Sequence, residues 1–201
     1  METRIAIIGE FQDGKSTLIN ALMGRPCAET GCGMATTDNV HEYALLGTDC
    51  ILMDTPGFNS TRETDSETTI EGAGRADAFI LMLSGKQASP NLLDSVELCM
   101  RSGTKGQRPL IPIINNRNGS NGLIQDNSAA TMKKRGLYPI LFGKEMPCFN
   151  AKRWERSIVE ADDIDGMRQL KYLLGIEPEQ IPSPLSRICE ILQMMPSTRN
   201  I

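Results

Sequence analysis

No part of this 201-residue chain approaches the roughly 18 consecutive apolar residues that a membrane-spanning helix requires. The first apolar run, residues 5–8, follows Met-Glu-Thr-Arg directly and is too short for the hydrophobic region of a secretory signal. Positive charge is not in excess either. Against 25 acidic residues stand 21 basic ones, a formal net charge of −4, which argues against a general electrostatic attraction to nucleic acid or anionic lipid. Cysteines do not come in pairs: Cys27, Cys32, Cys50, Cys99, Cys148 and Cys189 are scattered, and several lie in apolar runs where a reduced thiol packs as a small hydrophobe. Cys27 and Cys32 with His41 lack the paired-knuckle spacing of a zinc site. There is no internal repeat and no low-complexity tract. A cytoplasmic protein without an integral membrane segment and with no nucleic-acid partner is expected.

What is present is enough for one α/β domain. The hydrophobic content of 40% supports a proper core. Apolar runs at residues 4–8, 50–53, 78–83, 110–114 and 147–149 read as buried parallel strands, and residues 43–46 as an antiparallel edge strand joined to 50–53 by a tight turn at Gly47. Helical patterns alternate with them. Ser89-Pro90 gives an N-cap and a first-position proline, followed by a stripe of Leu92, Leu93, Val96, Cys99 and Met100 that Gly103 ends. Thr64 and Glu67 form a capping-box pattern for a helix reaching Gly74, residues 128–135 form another helix stopped by Gly136, and a longer one spans Ile164, Met167, Leu170 and Leu173 with Gly175 as its stop. The alternation predicts a three-layer, doubly wound, mostly parallel α/β sheet over residues 1–175. Residues 176–201 then form a tail with a short amphipathic helix starting at Ser183-Pro184 and carrying Leu185, Ile188, Ile191 or Leu192, and Met195.

Four motifs carry chemistry. Gly9-Glu10-Phe11-Gln12-Asp13-Gly14-Lys15-Ser16-Thr17 follows the first strand and opens a helix, the context a phosphate loop requires. Gly9 and Gly14 permit the tight wrap, backbone N–H groups hold phosphates, Lys15 reaches the terminal two and Ser16 ligates magnesium. Asp54-Thr55-Pro56-Gly57 closes the second parallel strand, so that Asp54 holds the magnesium shell and the Gly57 N–H contacts a γ-phosphate. Thr36-Thr37 lies in the irregular stretch 24–39, where one hydroxyl, Thr37 first and Thr36 as alternate, would reach magnesium only when the γ-phosphate is present. Asn115-Asn116-Arg117-Asn118 and Asn150-Ala151-Lys152 follow the last two strands, at the strand ends where ligands bind in open α/β sheets.

Residues 9–24, GEFQDGKSTLINALMG, with Thr36-Thr37 and residues 54–57, resemble the translation-factor-related P-loop GTPases, most closely the G domains of bacterial dynamin-like proteins and their Era- and TrmE-like relatives. The resemblance covers roughly residues 4–174. It implies that Asn115, Asn116 and Asn118 occupy the family's Asn-Lys-x-Asp guanine motif, that Asn150, Ala151 and Lys152 occupy its Ser-Ala-Lys motif, and that GTP is the substrate with magnesium as cofactor. It also implies a nucleotide switch that hydrolyses the β-γ phosphoanhydride, slowly without an activator. A protein partner or activator and a nucleotide-dependent dimer are the expected associations.

Two departures limit the resemblance. Asn118 stands where the family has an aspartate and Asn116 where it has a lysine, so guanine loses a charged acceptor, on the order of 1.5–3 kcal/mol. GTP is expected ahead of ATP, with xanthosine triphosphate a competitor. Phe58 follows residues 54–57, where Ras-like enzymes place a water-orienting glutamine. The water-positioning group must then come from the phosphate loop, with Gln12 the candidate, from the switch, from potassium or from a partner. A nucleotide-binding module with little or no hydrolysis is the alternative.

Overall fold

Alternation along each strand sorts the core into two faces. Ile5, Ile7, Leu52, Ile80, Met82, Ile111 and Ile113 point to one side of the sheet, and Ala6, Ile8, Met53, Phe79, Leu81 and Leu83 to the other. A strand buried on both faces needs helices on both, which is why these segments read as continuous apolar runs. The computed structural model describes residues 2–149 apart from residues 24, 30–38, 46, 59–63, 85–86, 104–105, 107, 116–121, 138 and 140–147. The described elements run β1 (Thr3–Gly9), α1 (Lys15–Met23), β2 (His41–Ala44), β3 (Cys50–Asp54), α2 (Thr64–Ala73), β4 (Ala78–Leu83), α3 (Pro90–Arg101), β5 (Leu110–Asn115), α4 (Gly122–Lys134) and β6 (Cys148–Phe149).

The sheet has the order β2-β3-β1-β4-β5-β6. β2 is the antiparallel edge, and the pairs β1–β3, β1–β4, β4–β5 and β5–β6 are parallel. Leu18, Ile19 and Leu22 of α1 pack on the first face, and Leu92, Leu93, Val96 and Cys99 of α3 and Met132 of α4 on the second. The doubly wound α/β architecture expected from the alternation is the one found. The helix expected near Ile164 and the tail helix after Pro184 lie outside the described residues.

Two element boundaries differ from the expectation, each for a local reason. The edge strand lies at His41–Ala44, two residues earlier than residues 43–46. Leu45 is used by the turn instead: its carbonyl accepts from the Thr48 backbone N–H (3.2 Å) and hydroxyl (2.9 Å). α4 begins at Gly122 rather than at Ser128. Ser128, where the helix was expected to begin, is a buried mid-helix residue whose hydroxyl accepts from the Ala88 N–H (3.2 Å) just before α3. The α3 start is as expected, with the Ser89 hydroxyl accepting from Leu92 N at 3.1 Å and Pro90 opening the helix.

The second helical layer is fastened at one end by a single residue. Arg108, 3% exposed, donates from Nη1 to the carbonyls of Ala73 (2.6 Å) and Ala76 (3.2 Å) and from Nη2 to those of Cys99 (2.6 Å) and Ser102 (2.8 Å). The guanidinium also lies 4.7 Å from the centroid of the Phe79 ring. It thus caps the C-terminal ends of α2 and α3 together. The same ends approach closely at Gly103, where φ is +77° and a Cβ would lie 2.5 Å from the Gly74 carbonyl oxygen. Arg108→Met is expected to destabilise the fold by about 3 kcal/mol or more, because buried carbonyls lose their donors. Arg108→Lys should recover less than half of that, since one ammonium does not reproduce the planar fork. Denaturant unfolding of the two variants beside the wild type measures both.

Candidate nucleotide-binding site

β1 delivers Gly9 to the C-terminal edge of the sheet, where there is no room for a side chain. A Cβ on Gly9 would lie 2.8 Å from the Met82 carbonyl and 3.1 Å from Asp13 Oδ2. The loop closes on itself, with Asp13 N–H donating to the Glu10 carbonyl (3.3 Å) and Glu10 N–H to Asp13 Oδ2 (2.8 Å). Gln12 takes the left-handed conformation, φ +66°, at an exposed position. In a non-glycine residue that conformation costs on the order of 1 kcal/mol and marks a loop shaped for a ligand. α1 then begins at Lys15, whose ammonium donates to the carbonyls of Glu10 (2.9 Å) and Gly9 (3.4 Å).

Lys15 is 7% exposed, and burial pulls its pKa down; Asp13, Asp54, Asp65 and Glu10 oppose that pull through their charges. Burial likewise raises the Asp54 carboxyl above its ordinary range, against the Ser16 hydrogen bond and the Lys15 charge. Asp13 is pushed up to about 6 by burial, which outweighs its hydrogen bond from Ser84 and the nearby Lys15. One ammonium among four carboxylates gives the site a surplus of negative charge, and a triphosphate entering it needs a cation.

The register of β3 on β1 sets Ile7 opposite Asp54. Across this junction the Ser16 hydroxyl donates to Asp54 Oδ2 at 2.8 Å, while Asp54 Oδ1 is buried without a hydrogen bond. A hydroxyl beside a carboxylate with an unsatisfied oxygen is a hard-oxygen donor set, and it fits magnesium. Pairing continues past both strands: Phe58 N–H donates to the Gly9 carbonyl (3.0 Å) and Phe11 N–H to the Phe58 carbonyl (2.9 Å). The Thr55 hydroxyl adds a bond to the Ile7 carbonyl at 2.7 Å. Gly57 is wedged between: a Cβ there would lie 2.7 Å from Phe11 Cα and 3.1 Å from Lys15 Nζ.

Of the residues singled out in the sequence, the fold brings Gly9, Gln12, Asp13, Gly14, Lys15, Ser16, Thr17, Asp54, Gly57 and Asn115 to one edge of the sheet. Asn115 is fully buried, and its Nδ2 donates to the Asp13 carbonyl at 2.7 Å, tying the end of β5 to the phosphate loop. Thr36, Thr37, Asn116, Asn118, Asn150, Ala151 and Lys152 lie outside the described residues. Phe58 is fully buried and packs with Ala6, Ile8 and Met53 in the second-face core, so its ring is directed away from solvent.

Motif reading missed three contributors. Glu10 accepts from the hydroxyl of Ser89, the N-cap of α3, at 2.9 Å, coupling the loop to that helix. Asn20 accepts from the N–H groups of Cys27 (2.8 Å) and Ala28 (2.7 Å) and donates to the Ala28 carbonyl (2.9 Å), pinning the chain as it enters the irregular stretch. Asp65 is buried in the first turn of α2. A loop glutamate carries no local signal because its partner Ser89 is distant in sequence, and a helical asparagine carries none because its partners lie past the helix end.

The family model for the 50S ribosome-binding GTPase matches residues 4–116, more than half of the chain. The chain belongs to this family. It is 28% identical to the GTPase Era of Nitratidesulfovibrio vulgaris over 184 residues, 87% of this chain and 56% of that protein. It is 35% identical to the tRNA modification GTPase MnmE of Halorhodospira halophila over 118 residues, 56% of this chain and 24% of that one. Among solved structures it is similar to an Aquifex aeolicus Era variant bound to GDP and AlF4−, with a TM-score of 0.62, 20% identity and coverage of 90% of this chain and 59% of that one. Era in complex with MgGDPNP and a 16S ribosomal RNA segment gives a TM-score of 0.61 at 20% identity, covering 90% of this chain and 58% of that one. These likenesses establish the P-loop G-domain fold. The chain spans little more than half the length of the Era proteins and about a quarter of MnmE. Among the described residues no helix is long and apolar enough to cross a membrane.

Two outcomes follow from the packing. Gly57→Ala is expected to cost about 1–3 kcal/mol of stability, since its Cβ meets backbone rather than a movable side chain; thermal unfolding reads this. Asp13 has its folded pKa raised to about 6 from an ordinary 3.8, so the native state holds a proton that the unfolded chain has released. Its contribution to stability is therefore full below about pH 3.8 and is lost as pH rises to about 6, by at most about 3 kcal/mol. Asp13→Asn should flatten the stability profile over that window; equal slopes for wild type and variant would contradict the assignment.

Proposed function

We propose that this chain is a guanine-nucleotide switch that binds GTP with magnesium and hydrolyses it slowly, passing its state to a protein partner. The observation that carries the reading is the Ser16 hydroxyl 2.8 Å from Asp54, whose other oxygen is buried and unsatisfied beside a buried Lys15. In this reading Ser16 and Asp54 hold the magnesium shell, Thr37 adds a hydroxyl when the γ-phosphate is present, and Lys15 spans the β- and γ-phosphates. The metal, when bound, neutralises charge on the phosphate oxygens. Gly9, Asp13, Gly14 and Thr17 shape the cradle, Gly57 offers its N–H to the γ-phosphate, and Asn115, Asn118, Asn150, Ala151 and Lys152 receive the base. Asn115 acts first as a brace, its amide being already bonded to the Asp13 carbonyl.

Slow turnover is supported by Phe58. A buried ring hydrogen-bonded through its backbone to Gly9 and Phe11 does not orient water, so the exposed Gln12, potassium or a partner must do so. The same burial supports the second reading, a module that signals by nucleotide occupancy with little hydrolysis. The first partner proposed is a protein, because a net charge of −4 gives no general attraction to a polyanion.

Competition among GTP, ATP and XTP, with and without potassium, tests the base and cation assignments. GTP is expected to bind at least tenfold more tightly than ATP; equal displacement of labelled GTP by ATP would remove the guanine assignment. Lys15→Ala should abolish triphosphate binding. Gln12→Ala should slow single-turnover hydrolysis by tenfold or more while leaving affinity near wild type. Hydrolysis unchanged in that variant removes Gln12 from the mechanism.

A further inference from the structure

Where Arg108 ties the C-terminal ends of α2 and α3, an open groove of about 550 Å³ is left between them. Glu67, Ile70, Glu71 and Gly74 line one side at helical spacing, and Ser102 and Gly103 line the other. Its floor is bare backbone, because φ at Gly103 is +77° and a Cβ there would lie 2.5 Å from the Gly74 carbonyl oxygen. One turn before Ser102, Leu98 is 52% exposed, and among the described residues it is the only large hydrophobic side chain left so open. Ile70 is half-buried against the second-face core. Both helices therefore present apolar surface to solvent at this end.

Several polar groups of the groove are already engaged. The Ser102 hydroxyl donates to the Cys99 carbonyl at 2.7 Å, and Arg75 pairs with Glu42 at 3.1 Å. Glu67 and Glu71 are different: both are exposed, they stand one turn apart on α2, and neither forms an ion pair among the described residues. Like charges at that spacing repel, whereas on α3 Asp94 and Glu97 are both neutralised by Arg135. An apolar strip flanked by two unpaired carboxylates suits a helix with one apolar face and a cation beside it, and it repels a polyanion. Arg108 holds the Ala73, Ala76, Cys99 and Ser102 carbonyls at these helix ends, so the groove is preformed and an occupant orders little on entering.

The chain itself carries a segment of this kind. In residues 184–195, which lie outside the described residues, Leu185, Ile188, Leu192 and Met195 recur at helical spacing, Arg187 flanks that stripe and Glu190 falls opposite it. As a helix the segment would be about 18 Å long, close to the roughly 15 Å of α2. We propose that residues 184–195 fold back as a helix and dock in this groove, with the apolar stripe on Ile70 and Leu98 and with Arg187 against Glu67 and Glu71. Attachment to the same chain gives the segment an effective concentration on the order of millimolar, which a separate partner would have to match. The groove lies at the end of the layer remote from Lys15, so docking requires no nucleotide.

The test is amide hydrogen exchange of residues 184–195 in the full chain. Wild type is compared with Leu98→Ser, with Glu67→Lys plus Glu71→Lys, and with that pair combined with Arg187→Glu. Leu98, Glu67 and Glu71 are exposed, so these substitutions leave the core intact, which thermal unfolding checks. The wild-type segment is expected to exchange about tenfold or more slowly than the same segment in Leu98→Ser or in the lysine pair. Adding Arg187→Glu to the lysine pair should restore much of the lost protection. A wild-type segment that exchanges as fast as a free synthetic peptide of residues 184–195 overturns the proposal. So does protection that none of the groove variants lowers, or a charge swap that restores nothing. Protection that grows with protein concentration over roughly a hundredfold range would place the segment on a second copy and overturn the fold-back.

Discussion

The pairing of β1 with β3 runs on past both strands, and the site depends on that continuation. Ile7 faces Asp54 in the ladder, and beyond them Phe58 and the loop residues Gly9 and Phe11 exchange backbone hydrogen bonds. The phosphate loop and residues 54–58 are therefore one frame rather than two adjacent loops. That frame sets Ser16 against Asp54 and Gly57 against Lys15. The Phe58 ring locks it from below, buried with Ala6, Ile8 and Met53. Because β1 lies between β3 and β4, the chain reverses its winding direction here, which opens the crevice where α/β sheets bind ligands.

Charge around Lys15 gives this frame its chemistry. Asp13, Asp54, Asp65 and Glu10 all act on one buried ammonium. Three of these carboxylates are held by different partners: Asp13 by the Glu10 N–H, Glu10 by the Ser89 hydroxyl at the start of α3, Asp54 by Ser16. A polyanionic ligand entering such a site must bring or find a cation and must displace what Lys15 already holds. The Ser89 hydroxyl on Glu10 ties the phosphate loop to the start of α3.

Arg108 determines which parts of the second layer are fixed. By capping the last carbonyls of α2 and α3 with one guanidinium, it holds both helices at the end remote from the phosphate loop. The opposite end of α3 carries Ser89, whose hydroxyl donates to Glu10 in the phosphate loop. Membership in the 50S ribosome-binding GTPase family accounts for the frame; Glu10 connects it to α3, and Arg108 joins the ends of α3 and α2.

Much of this was legible from residue order. Strand positions follow from apolar runs bounded by turn residues, and the phosphate loop from glycine spacing ahead of Lys15-Ser16-Thr17, because both depend on neighbours within a few residues. The helix start at Ser89-Pro90 is legible for the same reason. The edge-strand boundary failed because the Leu45 carbonyl is taken by a turn, and the α4 boundary because the Ser128 hydroxyl serves Ala88 forty residues away. Burial of Phe58, the Asn115 brace on Asp13, the Arg108 cap and the orphan oxygen of Asp65 were likewise invisible. The sequence by itself determined the fold class, the phosphate loop and the likeness to a family. Only tertiary structure decided which carboxylates surround Lys15 and which helix ends are tied, because burial and charge at a point depend on residues that the sheet brings together from distant parts of the chain.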